Sequence, residues 1–386
     1  MRTVARTILA LSALAPAASM LLASSAFAFL SGPTTERGTP SPRARERERE
    51  GARNEYTVTA LVSDGFESVP TDDRNLVNAW GLAAGPAGPW WVSDNGTDKS
   101  TLYSGEGVPQ SLVVSLPAGA APTGVAFNGG GSFVVRDGTS SGPAVFIFAS
   151  EDGRIFGWNP AVPPPPPATN AVLARDNSAA GAIYKGVTIA TTGSGDRLYA
   201  TDFHNRRVDV LDGSFQPVNV RAGAFVDPHV PGDFAPFGIR NIEGRIFVTF
   251  AKQDAGREDD VAGQGLGFVS VFDTDGAFLA RIATRGLLNS PWGLALAPAR
   301  FGRFGGDLLV GNFGDGEILA YRISDDMRRA EPEGVLRGAD AQPIVVDGLW
   351  AISFGNDSLA GPSGTLFFTA GPGDENHGLF GRIEPR

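Results

Sequence analysis

The chain has 386 residues, 51 of them glycine and 28 proline, no cysteine, and a formal net charge of −10. This composition calls for many turns and few helices, excludes disulfide staples, and disfavours nucleic acid or an anionic membrane as partner, because like charges repel. Beyond the N-terminal apolar run, no segment approaches the length needed to span a bilayer.

That run has the order of an export signal. Arg2 and Arg6 precede the apolar stretch Ile8 to Leu22, and the small-residue site Ala26-Phe27-Ala28 follows. Cleavage after residue 28 is expected; Pro16 and the short alanine-rich core argue against the alternative, a membrane anchor. No cysteine follows to carry a lipid and no twin-arginine pair precedes, so the general secretion route to the periplasm or the outside is expected. Residues 29–54 hold Pro33, Pro40, Pro42 and the alternating run Arg43-Ala44-Arg45-Glu46-Arg47-Glu48-Arg49-Glu50. Such a stretch cannot bury a core and reads as a disordered linker.

The folded part is expected over 55–386. Tyr56-Thr57-Val58-Thr59-Ala60-Leu61-Val62 is rich in β-branched and aromatic residues and reads as a strand. A phrase then recurs six times: Trp80-Gly81-Leu82, Thr123-Gly124-Val125, Lys185-Gly186-Val187, Phe237-Gly238-Ile239, Trp292-Gly293-Leu294 and Asp347-Gly348-Leu349. In most units a second apolar strand follows and ends in a polar corner, as in Trp91-Val92-Ser93-Asp94-Asn95. The glycines lie about 43 to 62 residues apart, room for four short strands each. The pattern predicts an all-β six-bladed β-propeller. The last unit lacks a strand, and the orphan strand at the start supplies it, which removes an open sheet edge.

Turn chemistry agrees. Asp152-Gly153, Asp212-Gly213, Asp275-Gly276 and Asp315-Gly316 each sit between apolar runs as hairpin turns. The prolines Pro163 to Pro167 cannot join a sheet ladder and are expected as an extended connector between blades two and three. Helical signal is confined to one turn near Asp325 to Arg329.

The third unit, Asp196 to Asp212, has a strand ending in Asp202, a loop with Asn205 and Arg206, then Val208-Asp209-Val210. It resembles the repeat of NHL-type six-bladed propellers. The first unit, Asn75 to Leu82 followed by Trp91 to Gly96, resembles the opening of an exported, uncharacterised bacterial propeller family. That resemblance implies fold and export, and carries no established activity. Enzymes of the same architecture include gluconolactonase-like hydrolases, paraoxonases and a zinc-dependent amidating lyase, whose catalytic patterns are not intact in this sequence.

In propellers the loops entering each inner strand and the corners between second and third strands open on one face, where function gathers around the channel. The expected corners hold Asp94 and Asn95, Arg136 and Asp137, Asp202 and His204, Asp254, Asn312 and Asp315, and Asp374 and His377. The residues preceding the repeat glycines are expected to rim the channel: Trp80, Thr123, Lys185, Phe237, Trp292 and Asp347. Three readings stay open. Calcium would use oxygen ligands such as Asp94, Asn95, Asp202, Asn312 and Asp347, against the plain alternative that Asp and Asn end strands. Zinc would use His204, His229 and His377, the three histidines of the chain. The third is an aromatic-and-polar rim, with Trp80, Lys185, Phe237, Trp292 and Asp347, that binds a small molecule, glycan or protein.

No G-x-S-x-G nucleophile elbow or Walker loop is present. The sequence therefore points to an exported, monomeric propeller that binds a ligand or partner at the channel face. The alternative is a metal-dependent hydrolase or lyase, with Asp94, Asn95, Asp202, His204, Asn312 and His377 as candidate ligands.

Overall fold

The recurring glycine marks the place where neighbouring blades come closest. In a computed structural model, which describes residues 51–386, a Cβ added at Gly293 would stand 2.7 Å from the carbonyl oxygen of Trp350, and one at Gly186 would stand 3.1 Å from that of Phe237. Gly81 faces the Thr123 carbonyl and Gly238 the Trp292 carbonyl in the same way. A side chain at these positions would push the inner strands apart, so glycine here sets the circumference of the ring.

Six antiparallel sheets surround the axis. Their inner strands are Ala79–Ala84, Pro122–Phe127, Tyr184–Thr192, Phe234–Ile242, Pro291–Leu296 and Leu349–Phe354. Each contacts the next in chain order, and the sixth contacts the first. The second strands are Trp90–Asp94, Phe146–Ser150, Gly195–Asp202, Arg245–Lys252, Leu308–Asn312 and Leu366–Ala370. Both faces of these strands are covered by neighbouring blades, so they read as continuous apolar runs. The propeller contains no α-helix, only the single 3-10 turns Asn95–Thr97, Ser178–Ala180 and Gly302–Phe304. The segment near Asp325 to Arg329 is a turn. Export signal and most of the linker lie outside the described residues.

Closure follows the sequence expectation. Tyr56–Ser63 pairs antiparallel with Leu379–Pro385, Val58 opposite Ile383 and Ser63 opposite Leu379, with a bulge between Ala60 and Val62. Tyr56 anchors the joint: its ring lies 5.0 Å from Phe301 and 6.1 Å from Phe304 in blade five. Its hydroxyl donates to the Phe301 carbonyl at 3.2 Å and accepts from the Phe304 amide at 3.3 Å.

The core is divided as a ring requires. One apolar cluster fills each gap between neighbouring blades, and a further cluster of Trp80, Phe203, Phe237 and Trp350 lies on the axis.

Three local expectations are corrected. Val134–Asp137 and Ser140–Pro143 pair only with each other. Blade two's second strand is therefore Phe146–Ser150, and its corner is Ser150 to Gly153 rather than Arg136 and Asp137. The proline run lies within blade two, between Arg154–Trp158 and Val172–Asp176. In blade six the repeat phrase is Trp350-Ala351-Ile352: Trp350 packs over Gly293 as Trp292 packs over Gly238. Asp347-Gly348 is instead the turn before the strand, with Gly348 at φ +64°.

Candidate functional site at the upper channel mouth

The residues that open the inner strands do not rim an open channel; they plug it. Trp80, Thr123, Lys185, Phe237 and Trp350 are all buried. Trp80 and Trp350 stack at 3.5 Å, and Phe313 stacks on Trp350 at 3.9 Å. Trp292 meets both tryptophans edge-on, and its indole N–H donates to the Lys185 carbonyl at 2.9 Å. Aromatic residues at this ring position are large enough to meet across the axis; the Trp292 and Trp350 indoles find acceptors, whereas the buried Trp80 Nε1 has no hydrogen-bond partner among the described residues. Asp347 stands apart, exposed, accepting a hydrogen bond from the Gly373 amide at 2.9 Å.

On this plug sits a polar network drawn from five blades. Lys185 of blade three reaches up from its inner strand. Its Nζ donates to Glu151 Oε1 of blade two at 2.5 Å and to Asp259 Oδ1 of blade four at 2.8 Å. The same ammonium lies 5.3 Å over the Trp80 ring and 5.9 Å over Phe203, which adds cation–π attraction. Glu151 Oε2 accepts from Asn95 Nδ2 of blade one at 2.9 Å. Asn95 Oδ1 accepts from Asn78 Nδ2 at 3.2 Å, which also donates to Glu375 Oε2 of blade six at 2.6 Å. Asn78 Oδ1 in turn accepts from the Trp350 indole at 2.9 Å, tying network to plug. Loops entering inner strands (Asn78) and second-to-third corners (Asn95, Glu151, Asp259, Glu375) thus share one face.

The backbone holds two of these groups in the left-handed region, Asn78 at φ 46° and Glu375 at φ 64°. Asn tolerates that conformation; a glutamate there is uncommon and costs energy that the surrounding contacts must offset.

Electrostatics follow from the placement. Burial alone would depress the Lys185 ammonium, but Glu151 and Asp259 outweigh it and hold the group above its ordinary value. Burial pushes the Glu375 carboxyl up to about 7; the Asn78 hydrogen bond opposes this and the charge of Glu151 adds to it. Asp260, beside Asp259, is likewise raised by burial, with Ser290 and Lys185 opposing. Its Oδ2 is buried and has no hydrogen-bond partner among the described residues. One lysine therefore faces the four carboxyls of Glu151, Asp259, Asp260 and Glu375.

The candidate metal ligands are distributed differently. Asp94 is buried, accepts from Thr101 Oγ1 at 3.1 Å, and is raised well above the carboxylate range by burial. Asp202 caps its own corner, accepting from the Asn205 side chain at 2.8 Å and pairing with Arg207 at 3.3 Å. Asn312 donates to the Leu287 carbonyl at 2.9 Å and to Asp315 at 3.1 Å. His377 stacks on Phe66 and contacts Asp64 through Nδ1 at 3.0 Å, while His204 packs beside Gly181 and His229 is exposed. Of the candidates only Asn95 joins the network. Among the described residues no group of three or more His, Asp or Glu side chains is disposed to hold a metal.

Fold and site together define a six-bladed propeller with a plugged channel and a polar upper mouth. No family model matches the chain. It is 31% identical over 337 residues to the uncharacterised protein L690 of Acanthamoeba polyphaga mimivirus, covering 85% of each chain. It belongs to the same family as that protein. It is also 29% identical to the uncharacterised protein R648 of the same virus, over 85% of this chain and 80% of that one. Among solved structures, a protein of unknown function from Bacteroides thetaiotaomicron is similar with a TM-score of 0.52 at 11% identity, over 85% of this chain and 76% of that one. Virginiamycin B lyase from Staphylococcus aureus gives a TM-score of 0.46 at 13% identity, over 86% and 99%. At such identities the likeness concerns the fold.

Proposed function

We propose that this protein is an exported binding scaffold whose upper channel mouth takes a ligand presenting an ammonium or guanidinium group. The observation that carries the reading is the charge imbalance at the upper mouth: carboxyls from blades two, four and six converge around a single lysine, with Asp259 largely exposed. A cationic group entering there gains charge-assisted hydrogen bonds to an already ordered acceptor set. Phe313, stacked on Trp350 and only partly buried, offers an aromatic face for the methylenes of such a ligand. Because binding is electrostatic at a partly exposed surface, it weakens with salt.

Calorimetric titration of spermidine at low ionic strength tests this. Saturable binding is expected, reduced at least tenfold in Glu151→Gln and in Glu375→Gln. Absence of binding, or binding indifferent to both substitutions, contradicts the proposal. Export is a separate part of the reading: the mature protein is expected to begin at Phe29, and an uncleaved intracellular chain on N-terminal sequencing would refute it.

A further inference from the structure

The lower half of the channel is hollow. Below the plug, all six inner strands wall a cavity of about 340 Å³, where apolar side chains such as Leu82, Val125, Ile189, Leu294 and Ile352 alternate with polar groups that make up most of the exposed lining. One lining residue alone carries a charge, Arg240 of blade four. Its Nη2 donates to Ser353 Oγ of blade six at 2.9 Å. Blade five lies between those blades, so the side chain spans the lumen. Among the described residues Arg240 has no carboxylate at ion-pair distance, and burial, which pushes its pKa down, is unopposed by any neighbouring charge.

A guanidinium has five N–H donors and stays protonated in proteins. Held away from bulk water with one hydroxyl partner and no counter-charge, it is costly to the folded chain. An anion placed against its free edge would satisfy both charge and donors. Two hydroxyls stand ready to add to that acceptor set. Ser353 accepts from Arg240, and Thr188, another lining residue, accepts from the Asn241 amide at 3.1 Å. Each retains a hydroxyl proton to donate.

We propose that the lower channel is a binding site for a small monocarboxylate with an apolar body, its carboxylate held by Arg240, Ser353 and Thr188. A planar fork matches a planar carboxylate bidentately. The single cation matches one negative charge, whereas a phosphate dianion would lack a second. The aliphatic side chains of Leu82, Val125, Leu294 and Ile352 give the remainder of the molecule an apolar contact, and the volume falls within the range of small-ligand sites.

Benzoate is the probe. Thermal-shift and calorimetric titrations are expected to show saturable stabilisation by benzoate and none by equimolar chloride or phosphate. Arg240→Met should fold with an unliganded Tm equal to or above that of the parent, since an unpaired charge has been removed, and should lose at least tenfold in benzoate affinity. Spermidine binding at the upper mouth should be unchanged in the same variant, which separates this site from the other. Ala84→Phe, which fills the lumen and leaves Arg240 in place, should also abolish benzoate binding. The proposal is overturned by any of three results: no benzoate binding, undiminished binding in both variants, or an equal response to chloride, which would make the site a halide pocket only.

Discussion

The two halves of the channel solve the same geometric problem in opposite ways. Six inner strands leave a gap on the axis; the upper half fills it with Trp80, Phe237, Trp292 and Trp350, the lower half leaves it open. Above, the one buried cation is matched by carboxylates; below, Arg240 has only a hydroxyl. The ring itself is held by the apolar clusters between blades and by the N-terminal strand, so the axis can be packed in one half and hollow in the other.

The largest effect should come from removing what both halves share. Deleting 56–63 exposes the edge of Leu379–Pro385 and strips Tyr56 from its seat against Phe301 and Phe304; loss of cooperative unfolding by calorimetry is expected. A native-like transition would show that blade six closes without its fourth strand. Next in size is a direct contrast between the layers. Trp350→Ala empties the plug and frees Asn78, and should cost about 3–5 kcal/mol by denaturant unfolding. Ile189→Ala truncates a side chain that is only partly buried and already borders a cavity, and should cost less, about 2 kcal/mol, the low end for such a change. Equal costs would erase the distinction.

A separate effect is a pH dependence confined to the upper mouth. Glu375 titrates at about 7 in the folded protein against an ordinary value of 4.5. The folded state thus favours its neutral form, and that contribution is complete below about pH 4.5 and lost as pH rises through 7. It amounts to at most about 3 kcal/mol. Glu375→Gln should retain it, so the stability of parent and variant should diverge between pH 5 and 8, with the parent falling. Parallel curves would place the Glu375 titration elsewhere.

Much of the fold was legible because its physical cause is local. In five blades a glycine stands where one inner strand crosses the backbone of the next, so the ring printed itself on the sequence five times. The sixth copy failed because Ala351 stands at that position, with its amide donating to Thr369 Oγ1 at 3.1 Å. The nearest glycine, Gly348, then drew the phrase three residues early and put Asp347 where Trp350 belongs. Blade two misled in a similar way, its inserted hairpin presenting a strand pair ahead of the true one. Of the site, Trp80, Lys185, Phe237 and Trp292 were legible through the repeat. Glu151, Asp259, Glu375 and Asn78 were not, because no spacing links them: Asn78 and Glu375 are 297 residues apart and meet only when the ring closes. The hairpin Glu151-Asp152-Gly153 carried the one usable signal, an acidic residue at a second-to-third corner.

The central claim is that the upper mouth is an acceptor site whose affinity for cations is set by Glu375. The most direct measurement is calorimetric titration of spermidine at pH 6 and pH 8, in parent and Glu375→Gln side by side. Affinity should rise severalfold with pH in the parent, as the carboxyl ionises, and stay flat in the variant. Parent affinity that does not change with pH, or a variant that follows the parent, would contradict the account.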